Sequence, residues 1–221
     1  MKRKLVIFGL GDIAELAAYL FDLHTDYEVA AFTVNKEYMT SDRFMNKPVI
    51  DFDRVVTACS PQEHDMFVAI GYRDINKARE EKYNEAKALG YRLARYVSPF
   101  ATVFDNVAIG DNCFIFEHNV LQPFVRIGNN TILWSGNHIG HHTTIGDHCF
   151  ITSHAVISGR VRVGNNSFIG VNATLRDHLV IGNHCVIGAG AVLLKDAEDG
   201  QVFVAESTPA SSVPSHRLRN I

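Results

Sequence analysis

The sequence predicts two architectures in one chain: a small α/β domain on a parallel sheet, then an all-β coil, a parallel β-helix. The first observation behind this is a repeat. Residues 103 to 192 divide without insertion into fifteen units of six, each opening on Val, Ile or Leu, from Val103, Ile109 and Ile115 through to Ile187. Eight of the fifteen second positions are Gly, and the fifth positions are mostly small or aliphatic, as at Cys113, Thr131, Cys149 and Ser167. The second observation is the period itself. Six fits no helix of 3.6 residues per turn but fits a short strand, a turn and another short strand. The first and fifth residues then face inward, and Gly is expected where the backbone bends. Three units close one coil, so residues 18 apart stack at roughly 4.8 Å, the spacing of adjacent strands. The third observation is that strands alternate with helices ahead of residue 98, the pattern of a doubly wound sheet.

Taken in order, residues 4 to 9 read as a buried parallel strand, followed by Gly9-Leu10-Gly11-Asp12-Ile13-Ala14 and a helix to about Leu23. Strands follow at Glu28–Phe32 and Met66–Ile70, the second ending at Gly71; then come a charged helix over 75–89 and a last short strand over 92–97. Ser98-Pro99 marks a boundary, which gives an α/β domain over 1–97, the β-helix over 98–198 and a tail over 199–221. The Gly9-x-Gly11-x-x-Ala14 turn resembles a dinucleotide fingerprint, but an NAD site also wants an acid at the end of the second strand. Thr33-Val34-Asn35 stands there instead, which argues against NAD. The N-terminus of the helix can still receive a phosphate through its free N–H groups.

A net charge of -3 argues against nucleic acid or an anionic membrane as partner, and no apolar run is long enough to span a bilayer. The N-terminal Met-Lys-Arg-Lys runs straight into Leu5-Val6-Ile7-Phe8, too short for a signal peptide, so the protein reads as cytoplasmic. Cys113, Cys149 and Cys185 lie 36 residues apart, two coils or about 9–10 Å, too far for a disulfide. They read as core residues of a reduced protein.

The hexapeptide run resembles the left-handed β-helix of hexapeptide-repeat acyltransferases. The pairing with a short α/β domain is similar to the sugar acetyltransferase family that includes sialic acid O-acetyltransferases and bacillosamine N-acetyltransferases. This likeness, not the spacing, implies the left hand, acetyl-CoA as co-substrate, a homotrimer, and a nucleotide-linked amino sugar held by the N-terminal domain. It places the substrate turn on Gly11, Asp12 and Ile13, the second-strand contact on Val34 and Asn35, and the third-strand contact on Gly71. The turn departs from the family pattern: Gly-Asp-Ile replaces Ser-Gly-His or Gly-Gly-His, and Val-Asn replaces a strand ending in Asp. The tail, with Phe203 to Ala210, is two residues longer than the family's Val-Pro-Ala turn over CoA.

Eight of the eleven histidines lie in the repeat, six of them at the fourth position of a unit, where a polar corner residue is the ordinary reading. The resemblance places the catalytic general base on His141, in Ile139-Gly140-His141-His142-Thr143-Thr144. Imidazole suits the task, which is to take a proton from an attacking amine or hydroxyl while a backbone N–H steadies the developing oxyanion. The family has Glu after the base; here His142 stands there, so either a different acid serves, with Glu117 and Asp147 as candidates, or the base runs without one. The cofactor contacts implied are Phe150, with His154 as a substitute for the histidine usual there, and Gly159, Val171 and Ala189. Gly159 is 18 after His141 and Ala189 is 18 after Val171, so each pair stacks on neighbouring coils.

The expected function is thus an acetyl-CoA-dependent N-acetyltransferase acting on a nucleotide-linked amino sugar of the 4-amino-4,6-dideoxy type. The site would lie between two β-helices, because one face alone is too flat to enclose a substrate. O-acetylation of a sugar is the near alternative. A metal-dependent enzyme like the β-helical carbonic anhydrases is another, although no two repeat histidines are five or 18 apart. A non-catalytic trimeric scaffold is the last. No metal is expected.

Overall fold

The run Leu5–Phe8 is apolar and wholly buried, so β1 (Arg3–Phe8) takes a central place in a parallel sheet. The computed structural model describes residues 3–217; the last four residues of the 199–221 tail lie outside them. β1 pairs with β2 (Tyr27–Val34), and α1 (Asp12–His24) crosses between them, burying Ala14, Ala17, Ala18 and Phe21. Beyond β2 the sheet continues through an antiparallel pair, β3 (Arg43–Phe44) and β4 (Lys47–Asp51), of which β4 is parallel to β2. The sequence did not announce this edge, because Lys47 and Pro48 interrupt its apolar pattern. A short helix, α2 (Val55–Ala58), leads to β5 (His64–Val68) on the other side of β1, and α3 (Lys77–Ala88) follows.

The single strand expected over 92–97 is divided. Leu93 bridges Met66 in the α/β sheet, whereas Tyr96–Val97, here β6, pairs with Phe114–Ile115 in the coil. The chain therefore enters the coil ahead of Ser98-Pro99. From there each hexapeptide contributes one two-residue strand to one of three parallel faces, with partners 18 apart within the repeat. The first face runs from Thr102–Val103 to Val192–Leu193 and includes His138–Ile139; the second runs from Ala108–Ile109 to Val180–Ile181. The third begins at β6 and closes with Val202–Phe203 on Val186–Ile187, inside the segment expected as tail. The first residue of each unit and most of the fifth fill the core, from Ile115 to Leu193. The polar fifth positions are satisfied there. Cys113, Thr131, Cys149 and Ser167 donate to the carbonyls of Gly128, Gly146, Gly164 and Gly182 at 3.0, 3.0, 3.1 and 3.1 Å. Burial pushes the thiols of Cys113 and Cys149 up to about 12, so they stay protonated.

The glycines do not mark the bend. The bend falls two residues later, at the fourth position, where the backbone is left-handed: φ is 49° at Asn112, 54° at Asn130, 60° at His142 and 58° at Asn166. Asn and His tolerate that region better than most residues. Gly at the second position instead permits close approach of the next coil. A Cβ on Gly140 would stand 2.5 Å from the backbone of Ser158 and Gly159.

The α/β domain sits on the third face. Outward residues there are aromatic or branched where a solvated face would be polar: Tyr96, Phe114, Ile132 and Phe150 are buried in one cluster with Phe21, Phe32 and Phe67 of the sheet domain. At the neighbouring corner, α3 reaches the coil with Arg79, which is fully buried. Its guanidinium donates to the carbonyls of Asn130, Gly71, His148 and Cys149 and to Asn76 Oδ1, at 2.6–3.2 Å, and among the described residues it pairs with no carboxylate. Burial lowers its pKa to about 10, which leaves it charged at neutral pH. Asn112, Asn130 and His148 stack beside it, each hydrogen-bonded to the next at 2.7 and 2.8 Å.

Candidate active site

Backbone geometry accounts for six of the repeat histidines. His118, His142, His148, His154, His178 and His184 all occupy the left-handed fourth position, with φ between 54° and 63°. His138 is the outward residue of a first-face strand. His141 alone sits at a third position. It lies on the corner between the first and second faces, in the column Asp105, Pro123, His141, Gly159, Asp177, and it is solvent-exposed.

The coil above and the coil below both position it. Its backbone N–H donates to Gln122 Oε1 at 2.9 Å, and its carbonyl accepts from Arg160 N at 2.9 Å. Its ring lies over Gly159, so close that a Cβ there would stand 2.9 Å from Cε1 and Nε2. Nδ1 lies 3.1 Å from Nδ1 of His142, with the two rings nearly perpendicular. His142 in turn stacks on Phe124, one coil above, with ring centroids 4.6 Å apart and planes 30° apart. Desolvation, the Arg160 guanidinium and the His141 imidazole all lower the His142 pKa, which favours its neutral form.

Neither carboxylate put forward as an acidic partner reaches His141 within the chain. Glu117 accepts from Ser135 Oγ at 2.6 Å on the corner between the third and first faces. Asp147 accepts from Asn129 N at 2.5 Å on the corner between the second and third. Asp147 belongs to a ladder in which a third-position oxygen caps the N–H of the coil before, as Asn165 caps Asp147 and Asn183 caps Asn165.

The other sequence-derived positions gather elsewhere. Asp12 and Ile13 line a cavity of about 430 Å³ together with Val171 and Phe150. Leu16, Tyr72, Trp134, Thr152 and Ser153 complete its wall and were not singled out in the sequence. The signal was present in Trp134, the only tryptophan, at a second position where Gly is usual. Phe150 is 3% exposed and belongs to the interdomain core, packing on Trp134, Phe168 and Tyr72 with ring centroids 5.0–6.1 Å apart. Gly11 and Asn35 line a second crevice of about 610 Å³ at the C-terminal ends of β1, β2 and β5. That is where strand order reverses in an open α/β sheet, the usual ligand crevice. Gly71 lies between the two cavities, flanked by Ile70 and Tyr72, with its carbonyl held by Arg79 at 2.6 Å. Ala189 stacks one coil beyond Val171 and is exposed; the His154 ring covers Gly136.

Val171 and Ala189 therefore mark the corner between the third and first faces, whereas His141 and Gly159 mark the next corner, at the far edge of the first face. The two are separated by one side of the coil, six residues or at most about 20 Å of extended chain. Among the described residues, no three His, Cys, Asp or Glu side chains are grouped as metal ligands.

The bacterial transferase hexapeptide family (six repeats) matches residues 124–159 and 160–195. The acetyltransferase domain of PglB from Neisseria gonorrhoeae superposes with a TM-score of 0.79 at 27% identity, covering 90% of this chain and 95% of that one. A variant of perosamine N-acetyltransferase from Caulobacter crescentus, solved with CoA and GDP-perosamine, superposes with a TM-score of 0.80 at 25% identity over 90% and 92%. Residues 124–195 thus carry the hexapeptide repeat of bacterial transferases, and the protein is an acyltransferase. WeeI from Acinetobacter baumannii shares the fold at 18% identity, with a TM-score of 0.69 over 90% and 94%. No curated protein sequence matches. The fold of this acyltransferase, a small Rossmann-like α/β domain followed by a left-handed parallel β-helix, is the one its sequence predicted. Among its described residues no helix is long and apolar enough to cross a membrane.

Proposed function

We propose that this acyltransferase is an acetyl-CoA-dependent N-acetyltransferase of a nucleotide-linked 4-amino-4,6-dideoxy sugar, with His141 as general base. The observation that carries the proposal is the singularity of His141. Every fourth-position histidine is accounted for by a left-handed bend, and His141 is not; it stands exposed, with its ring in the room that Gly159 gives by lacking a Cβ. In the reaction Nε2 takes the proton of the acceptor amine as the amine attacks, and returns it to the leaving thiolate. Acetyl-CoA supplies an activated acyl group, so the protein needs only to position it and move one proton. The residues fit such a ligand: Val171 and Ala189 give an exposed apolar edge on which its arm can lie. Gly11 and Asn35 would face the nucleotide in the switch-point crevice, and Asp12 and Ile13 the sugar, with Gly71 between them.

His141 and the Val171 cavity lie on different corners of one coil, so a complete site takes His141 from one chain and the cavity from a neighbour. A homotrimer supplies that arrangement three times. The buried free thiols fit a reducing compartment, and we place the reaction in the cytoplasm.

The test is a panel of UDP-, dTDP- and GDP-linked amino sugars with acetyl-CoA, read by thiol release and by the mass of the product. Turnover of an amino sugar is expected, with a loss of about 100-fold or more in kcat in His141→Ala while thermal unfolding is unchanged. Full activity of that variant would overturn the assignment of the base. Acetyl transfer only to sugars lacking an amine would turn the reading to O-acetylation.

A further inference from the structure

One backbone conformation in the site is out of keeping with its residue type. Phe124 has φ of 68°, in the left-handed region, although the other corner residues there are mostly Asn, His or Gly. A bulky aromatic residue held at such an angle carries strain, and strain of this kind persists where something compensates for it. What Phe124 touches is His142, face to face at 4.6 Å. His142 N donates to the carbonyl of Pro123 at 3.1 Å, so the backbone that carries the imidazole is fixed as well. Among the described residues, the one polar group hydrogen-bonded to its ring is His141 Nδ1, at 3.1 Å.

We propose that His142 is the positioning residue of the general base: an uncharged imidazole, clamped by Phe124, whose Nδ1 lone pair accepts the Nδ1–H of His141 and so leaves the His141 Nε2 lone pair free for the acceptor. This rests on the assignment of His141 as base.

The hydrogen bond decides the tautomer, because between two Nδ1 atoms only one proton can lie. If His142 donates, His141 carries its proton on Nε2 and cannot act as a base there. If His142 accepts, His141 is basic at Nε2. Only a neutral His142 with its own proton on Nε2 can accept. The groups around it work in that direction: Arg160 from the coil below and His141 beside it are the charged or titratable groups that act on it, Phe124 covers one face, and among the described residues no carboxylate contacts it. An acid in this place would pair with the imidazolium formed during proton transfer; a neutral acceptor orients the base without that charge. The arrangement therefore trades some stabilisation of the protonated base for a fixed tautomer.

Histidine-selective ¹⁵N NMR on the full-length protein reads the tautomers directly, and steady-state kinetics use acetyl-CoA with GDP-perosamine as probe acceptor. The expected result is Nδ1–H on His141 and Nε2–H on His142. His142→Ala should lower kcat about 10- to 100-fold with KM little changed, less than removal of the base itself. His142→Asn, whose carbonyl oxygen can accept and whose backbone suits the corner, should recover most of that loss. Phe124→Asn should fold as well as the wild type or better, yet lose activity. Arg160→Gln should move the acidic limb of the kcat profile to higher pH, and in His142→Asn that limb should no longer respond to Arg160. The proposal is overturned by Nε2–H on His141, or by a His142→Ala enzyme with wild-type kcat and pH profile while His141→Ala is inactive, an outcome that leaves the base in place. An active His141→Ala enzyme would remove both.

Discussion

Arg79 offers the sharpest test of how the two parts of this acyltransferase are joined. Replacing it with Met keeps roughly the length and removes the donors. Among the described residues, the carbonyls of Gly71, Asn130 and His148 then lose the partner they have, while Cys149 keeps a bond from Ile132 N at 3.0 Å. An unsatisfied buried carbonyl costs about 1–3 kcal/mol. Three of them give a gross loss of about 3–9 kcal/mol, which is reduced because a buried cation is also removed and water can enter. A net destabilisation of about 3–5 kcal/mol is expected, in the range for breaking a buried charged network. For a chain of this size that corresponds to a fall in Tm of roughly 6–20 °C. The assay is chemical and thermal unfolding at matched protein concentration, since assembly shifts apparent stability. Arg162→Ala, exposed on the second face, is the control and should lie within about 0.5 kcal/mol of wild type. If Arg79→Met unfolds within about 1 kcal/mol of wild type, the carbonyl cluster is solvated otherwise and the reasoning fails.

Two glycines at the site should separate stability from activity. Gly140→Ala drives a Cβ into backbone 2.5 Å away and should cost about 1–3 kcal/mol, whereas Gly159→Ala meets the movable ring of His141 and should lower kcat with little change in Tm; equal effects in the two variants would contradict the geometry. His148 links stability to pH. Burial lowers its pKa from the usual 6.5, against the opposing pull of Glu80 and Asp147. Below about pH 6.5 the unfolded chain takes up a proton that the folded chain resists, so stability falls as pH drops through that window and is unaffected above it. His148→Asn, extending the Asn112–Asn130 stack, should flatten this limb when Tm is compared at pH 5.5 and 7.5; unchanged slopes would show that another group carries it.

The coil was legible because its sequence rule is strict. One buried aliphatic every six residues leaves a single register, and the strand pairs within the repeat are 18 apart as the period requires, whereas the closing pair beyond it, Val202 on Val186, is 16 apart. The role of the glycines was misplaced for a physical reason: both a bend and a close approach favour Gly, and composition alone does not separate them. The fourth-position residues did carry the bend, and reading Asn112, Asn130, His142 and Asn166 as one left-handed series would have explained most of the histidines at once. The α/β edge at Lys47–Asp51 and the docking surface were harder. A face covered by another domain shows itself only at every eighteenth residue, as in Tyr96, Phe114, Ile132, Phe150 and Phe168, and a single arginine on a charged helix does not reveal that it is buried.

Position along the coil also sets which residues share a corner, and this bears on where the site can form. His141 and Gly159 fall in one column of 18, Val171 and Ala189 in another, offset by twelve; no relaxation of a β-helix brings two corners together, because the core fills the space between them. If the site is shared between chains, two defective chains should repair each other. In His141→Ala the cavity is intact; in Val171→Trp the base is intact and the cavity is filled. When the two are unfolded together and reassembled at equal ratio, each shared site draws its base and its cavity from different chains. About one site in four then combines the intact halves, so activity should return to roughly a quarter of wild type. Either variant reassembled alone should stay inactive. Mixed assemblies with no recovery, despite mass spectrometry showing that the chains have mixed, would place base and cavity in the same chain.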